Sequence, residues 1–260
     1  VQQLETFVSA RDLLINTISE HGGIMSEKHL LDHLGIENEE ESNAIKFILS
    51  LVIELESHTE DDHVKQSWAR LGFDKALLKE FLTETVDMFD NHGEPLDPEA
   101  FIEKFKASEF YKTHKDELPE RVLINFLHTS TKVHRNPFGD YGLHHWNEIK
   151  PKDVGDKAYL VMKHHGKPEH YAVITDLINK HGLDKRTAYK ETVHNKLIKD
   201  KRFVLVGRGI YALSEWGYKP GVVSDIITEV LKASGEPMTR DQVIESVLKR
   251  RLVKKNTILV

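Results

Sequence analysis

The segment Gly207-Arg208-Gly209-Ile210-Tyr211-Ala212 has the G-x-G-x-x-A spacing that cradles a dinucleotide pyrophosphate. That chemistry needs a strand before the glycines and a helix after them, so that backbone N–H groups and the helix dipole meet the phosphates. Here Arg202-Phe203-Val204-Leu205-Val206 reads as a strand and Ile210-Tyr211-Ala212-Leu213 as its return. The glycines therefore predict a tight hairpin turn with Arg208 at its tip, and no cofactor. Histidine is abundant, with pairs at His144-His145 and His164-His165, but no H-E-x-x-H occurs. Cysteine is absent, which excludes thiolate zinc sites, disulfides and cysteine nucleophiles. Carboxylates are plentiful, yet no pair is set apart as an acid and its base. The expectation is a protein that is not an enzyme, with no metal and no small-molecule substrate.

The residues that could meet a ligand are cations around the same hairpin. A helix expected from about Thr187 to Lys199 turns Val193 and Leu197 inward, four residues apart on one face. Its opposite face then presents Glu191, His194 and Asn195, with Lys190 towards the edge and Lys185 and Arg186 at the helix start. An asparagine amide can pair bidentately with adenine, so Asn195 could read a base edge. Lys185, Arg186, Lys190, Lys199, Arg202 and Arg208 are placed as phosphate contacts, which position without specifying sequence. Glu191 opposes this reading unless it accepts from a cytosine amine. The competing reading is an ordinary solvated surface.

These residues need a frame, and the sequence supplies one four times. Glycine turns recur at His21-Gly22-Gly23, His92-Gly93, His165-Gly166 and Ser234-Gly235, their first glycines 71, 73 and 69 residues apart. Each follows an amphipathic helix and precedes a second helix, with Ser26, Asp97 and Thr239 as N-caps and Pro98 at a first helical position. A third helical segment follows: Asn43-Ala44-Ile45, Glu120-Arg121-Val122, Glu191-Thr192-Val193 and Asn256-Thr257-Ile258. Strand signals and a tryptophan (Trp68, Trp146, Trp216) close the first three units, the tryptophans sealing the bottom of each core. His21, His92 and His165 precede the turn glycine, where a helix C-terminus favours a capping histidine.

Helix, turn, helix, helix, hairpin is the winged helix-turn-helix. The fold class is mainly α with small β wings, as tandem winged helix-turn-helix repeats: 1–71, 72–147, 148–217 and a truncated 218–260. The wing of the second unit is an acidic version, Asn136-Pro137-Phe138-Gly139-Asp140-Tyr141-Gly142-Leu143-His144-His145-Trp146. The first has no clear glycine turn there.

Charge divides along these units. The whole chain carries −6, but the four units carry −9, −5, +5 and +3. Phosphate backbones bind Lys and Arg with release of counterions, so DNA is expected on the basic half. The acidic half suits a spacer or a protein-binding role. No stretch approaches the roughly 20 apolar residues of a membrane helix, and the start lacks the basic and apolar regions of a signal peptide. A cytoplasmic protein without membrane contact is expected. Val1 and the uncapped apolar run Thr257-Ile258-Leu259-Val260 read as cuts from a longer chain.

The third unit also carries a resemblance. Asp156-Lys157-Ala158-Tyr159-Leu160-Val161, Lys167-Pro168 with Ile174, and Arg202-Phe203-Val204-Leu205-Val206-Gly207-Arg208-Gly209-Ile210-Tyr211-Ala212-Leu213 together resemble the HARE-type helix-turn-helix domain, over about residues 150–218. The same stretch is similar to the winged N-terminal domain of the bacterial RNA polymerase delta subunit. The fourth unit resembles the front half of that domain, whereas the first two depart from it. The arrangement is also similar to the region downstream of a sigma-factor region 4. What the resemblance implies is transcription initiation or its regulation, with DNA and RNA polymerase or another transcription protein as partners. The alternative it leaves open is a scaffold docking on RNA polymerase without touching DNA.

Overall fold

A computed structural model describes residues 2–183, 186–218 and 223–250. The described chain is mostly helical with small antiparallel sheets, and it divides into two compact units, residues 1–149 and 150–260. No helix among the described residues is long and apolar enough to cross a membrane.

The first unit opens with helix α1 (Gln2–Glu20), strand β1 (Ile24–Ser26), helices α2 (Glu27–His33) and α3 (Glu39–Leu51), and strands β2 (Leu55–His58) and β3 (Ser67–Arg70). Gly22 and Gly23 carry the turn after α1 at positive φ, +87° and +85°, a conformation that costs glycine little. Ser26 and Asn38 cap α2 and α3 by accepting from the backbone N–H three residues on. Strand β3 lies between β1 and β2, both antiparallel to it. Leu14, Ile18, Met25, Leu30, Leu49 and Trp68 fill the core beneath, and Trp68 Nε1 donates to Glu27 at 3.2 Å.

Helices α4 (Lys75–His92), α5 (Pro98–Lys106), α6 (Glu109–His114) and α7 (Glu120–Thr129) follow, then strands β4 (Val133–Arg135) and β5 (Tyr141–Leu143). Helix α6, capped by Ser108, has no counterpart in the sequence reading. Phe81, Phe89, Phe101, Phe105 and Phe126 fill this core, which also takes in Ile24 and Ala69 from the first sheet. The join between the two sets of elements is polar as well. Asn125 on α7 donates to the carbonyls of His21 and Ile24, at 2.7 and 2.6 Å. Beside it the His29 ring stacks on His128 at 3.9 Å, and Tyr141 Oη meets His128 Nε2 at 2.9 Å.

The second unit holds α8 (Val154–His165), β6 (Glu169–His170), α9 (Tyr171–Lys180), α10 (Lys190–Lys199), β7 (Phe203–Gly207) and β8 (Ile210–Leu213). A 3₁₀ turn, Ser214–Trp216, precedes α11 (Val223–Ser234) and α12 (Arg240–Leu248). Asp153 and Asp156 close a capping box on α8, and Thr239 and Gln242 do the same on α12. Strand β8 lies between β6 and β7. Ile226, Val230 and Val247 pack α11 on α12. The third helix expected at Asn256-Thr257-Ile258 lies outside the described residues.

The capping role expected of the turn histidines holds at one position. His21 Nδ1 meets the Thr17 carbonyl at 2.7 Å. His165 instead turns to Glu169, with Nε2 to Oε2 at 3.2 Å, because β6 brings that carboxylate within reach. His92 ends α4 exposed to solvent.

Candidate nucleic-acid interface

The third helix of the basic half begins at Lys190, three residues later than the spacing predicts. The reason is a clamp from the preceding helix. Asn179 on α9 accepts from Ala188 N–H at 2.8 Å and donates to Ala188 C=O at 3.1 Å. Both backbone groups of Ala188 are thereby used outside any helix, and Tyr189 enters α10 in extended conformation without a side-chain cap.

From that start α10 follows the expected register. Val193 and Leu197 are fully buried, and Lys190, Glu191, Thr192, Asn195 and Lys199 face solvent. His194 is only half-exposed. Its ring stacks on Tyr171 at 4.2 Å and stands edge-on to Tyr211 at 5.9 Å, so it joins α10 to the wing. Two residues missed by sequence reasoning lie on the same outer surface, Tyr189 and Ile198. Tyr189 stands four residues before Val193 and would turn inward if the helix ran through it. Only the long-range Asn179 clamp turns it out.

The wing is the hairpin of β7 and β8, with no helix after its glycines, so the phosphate-cradle alternative is gone. Gly209 sits at φ +70°, and a Cβ there would lie 2.5 Å from His170 Nε2. Its carbonyl accepts from Tyr171 N–H at 3.0 Å. These contacts fix the turn against the start of α9 and leave Arg208 exposed at the tip.

The cations divide into two groups. Lys190, Lys199 and Arg208 are exposed and make no ion pair among the described residues. Arg186 is exposed on the approach to α10. Lys185 lies outside the described residues. Arg202 departs from its expected place as a strand residue with a free guanidinium. It precedes β7, and its guanidinium pairs with Asp200 at 2.7 Å and with the buried Asp156 at 2.9 Å. The Arg202 hydrogen bond holds Asp200 below the usual carboxylate range, although burial opposes it. Lys196 bonds Asp153 at 2.7 Å in the same cluster. Sequence reasoning could not see this, because Asp156 is 46 residues from Arg202 along the chain.

A three-helix unit with an antiparallel wing, its third helix exposed and its wing tip cationic, is a winged helix-turn-helix domain. Residues 154–216 match the HARE-HTH family model, whose description names ASXL and the restriction endonuclease HTH domain; it is a winged helix-like DNA-binding domain. No curated protein matches the chain.

Proposed function

We propose that this protein is a DNA-binding transcription module, bacterial and associated with RNA polymerase or sigma-type initiation, built from four related winged-helix units. The supporting observation is the surface of α10 and the wing tip, where Lys190, Lys199 and Arg208 point to solvent without an acidic partner among the described residues. On this reading α10 enters the major groove, Asn195 faces base edges, and Lys190, Lys199, Arg186 and Arg208 meet phosphates. His194 holds the helix against the wing through Tyr171, and Arg202 secures the frame. The reading assigns the protein no reaction, cofactor or small-molecule substrate, and places it in the cytoplasm.

Likeness of the third unit to the RNA polymerase delta subunit supports the association with polymerase. A scaffold that docks on polymerase without touching DNA is the second reading, favoured by Glu191 on the outer face of α10 and by the acidic first unit. The full chain carrying Arg186→Ala with Arg208→Ala separates the two. DNA affinity is expected to fall for all sequences, and the slope of log K against log salt to flatten by about 0.9 per lost contact. Unchanged affinity and slope in a folded double variant would remove this face as the DNA surface.

A further inference from the structure

Helix α3 stands in the first unit where α10 stands in the second, as the third helix before a wing, but its outer face has another chemistry. Ile45 and Leu49 turn towards the core, while Ala44, Phe47 and Leu51 follow at helical spacing on the outer side. Phe47 is 65% exposed and Leu51 50%; just past the helix, Ile53 is 85% exposed. Leu71, 68% exposed, is brought alongside because its N–H donates to the Glu54 carbonyl at 2.9 Å. Single exposed apolar side chains are common on soluble proteins, but four large ones joined by helix spacing and a strand pair form a continuous strip.

Acidic residues frame that strip. Glu39, Glu40 and Glu41 form the first turn of α3, and Glu54 lies at the other end. The nearby cation Lys46 is tied to Glu27 at 2.8 Å. Phosphates would be repelled here. A second copy packed face to face about a two-fold axis would set one Glu39–Glu41 turn against another or leave both strips partly open. A helix with an apolar stripe flanked by Lys and Arg matches both the strip and its frame. The molecule already uses a third helix in this manner. The outward side of α7 covers Gly22 so closely that a Cβ there would lie 2.5 Å from Val122 Cγ1, and its Asn125 bonds two carbonyls of the neighbouring segment.

We propose that the outer face of α3, continued by Ile53 and Leu71, docks a basic amphipathic helix of a partner protein. The probe is a synthetic leucine–lysine helix with leucines at i, i+3, i+4 and i+7, against a peptide of the same composition with leucines spread around the helix. Fluorescence anisotropy reads binding to the full chain. Binding of the amphipathic helix is expected to exceed that of the control by roughly tenfold, and Phe47→Ser with Leu51→Ser to abolish the difference. Glu40→Lys with Glu41→Lys, which leaves the apolar strip intact, is expected to weaken binding to a similar degree and makes the test independent of the first variant's folding. DNA affinity is expected to stay unchanged in the Phe47/Leu51 variant, which separates this surface from that of α10. Equal binding of both peptides, or undiminished binding in the two variants, would overturn the proposal. So would a wild-type dimer in sedimentation that the Phe47/Leu51 variant dissolves, since the occupant would then be a second copy.

Discussion

Helices α3 and α10 hold the same place in their segments and face solvent with opposite chemistry. Each follows two helices, each turns a pair of apolar residues inward (Ile45 and Leu49, Val193 and Leu197), and each leads into an antiparallel hairpin. Their outer faces share almost nothing: glutamates with Phe47 and Leu51 on one, lysines with Asn195 on the other. Inward residues set where such a helix sits, and outward residues set what it meets. The two can vary separately, because a surface substitution away from caps and networks changes stability by only about 0.5 kcal/mol or less.

The largest expected effect tests whether a cation near α10 belongs to the frame or to the ligand face. Arg202→Ala leaves Asp156 buried and unpaired, and is expected to lower the stability of the second unit by about 2–3 kcal/mol, somewhat less than a fully buried pair because Arg202 is partly exposed. Calorimetry of the full chain checks it. A variant of wild-type stability that binds DNA weakly would move Arg202 to the ligand face.

Acid distinguishes the two units next. Burial first, and then the neighbouring His21 and His33, lower His29 to about 4 against the pull of Asp32; Arg135 adds a small push in the same direction. Burial, followed by His29, Lys65 and Arg135, lowers His128 to about 3. Both rings are neutral in the fold, whereas the unfolded chain takes up protons below about pH 6.5. Stability is therefore fully present above that value and falls as pH drops towards about 4 for His29 and about 3 for His128. Between pH 7 and 5 the first unit is expected to lose on the order of 2 kcal/mol, or roughly 4–8 °C in melting temperature. His29→Gln with His128→Gln should flatten that dependence. An equal fall in the variant would place the acid sensitivity in other groups.

A smaller effect concerns how α10 is aimed. Asn179→Ala removes both bonds to Ala188 and is expected to cost about 1–2 kcal/mol. It also frees residues 187–189 to add a turn to the helix. Amide exchange at Ala188 is the readout, and unchanged protection there would mean that another contact holds the start of α10.

The contrast between what sequence revealed and what it hid follows the range of each interaction. Ser26, Asp97 and Thr239 mark helix starts because a cap acts over three residues. The wing was readable because its glycine turn and flanking strand residues are contiguous. The clamp of Asn179 on Ala188, the pairing of Arg202 with Asp156, and the stack of His29 on His128 join residues that only the fold brings together. Hence the inward face of α10 was placed correctly, while its first residue and the role of one cation were not. Tyr189 and Ile198 escaped notice because inspection for cations passes over apolar side chains.

The comparison of α3 with α10 is tested most directly by a ¹H–¹⁵N NMR titration of the full chain with a short DNA duplex at low salt. The expected result is a set of shifts confined to the α10 amides and the turn at Gly207-Arg208-Gly209, fading as salt rises, with the α3 amides unmoved. Shifts centred on α3, or an α10 that stays unmoved while the rest of the chain responds, would contradict it.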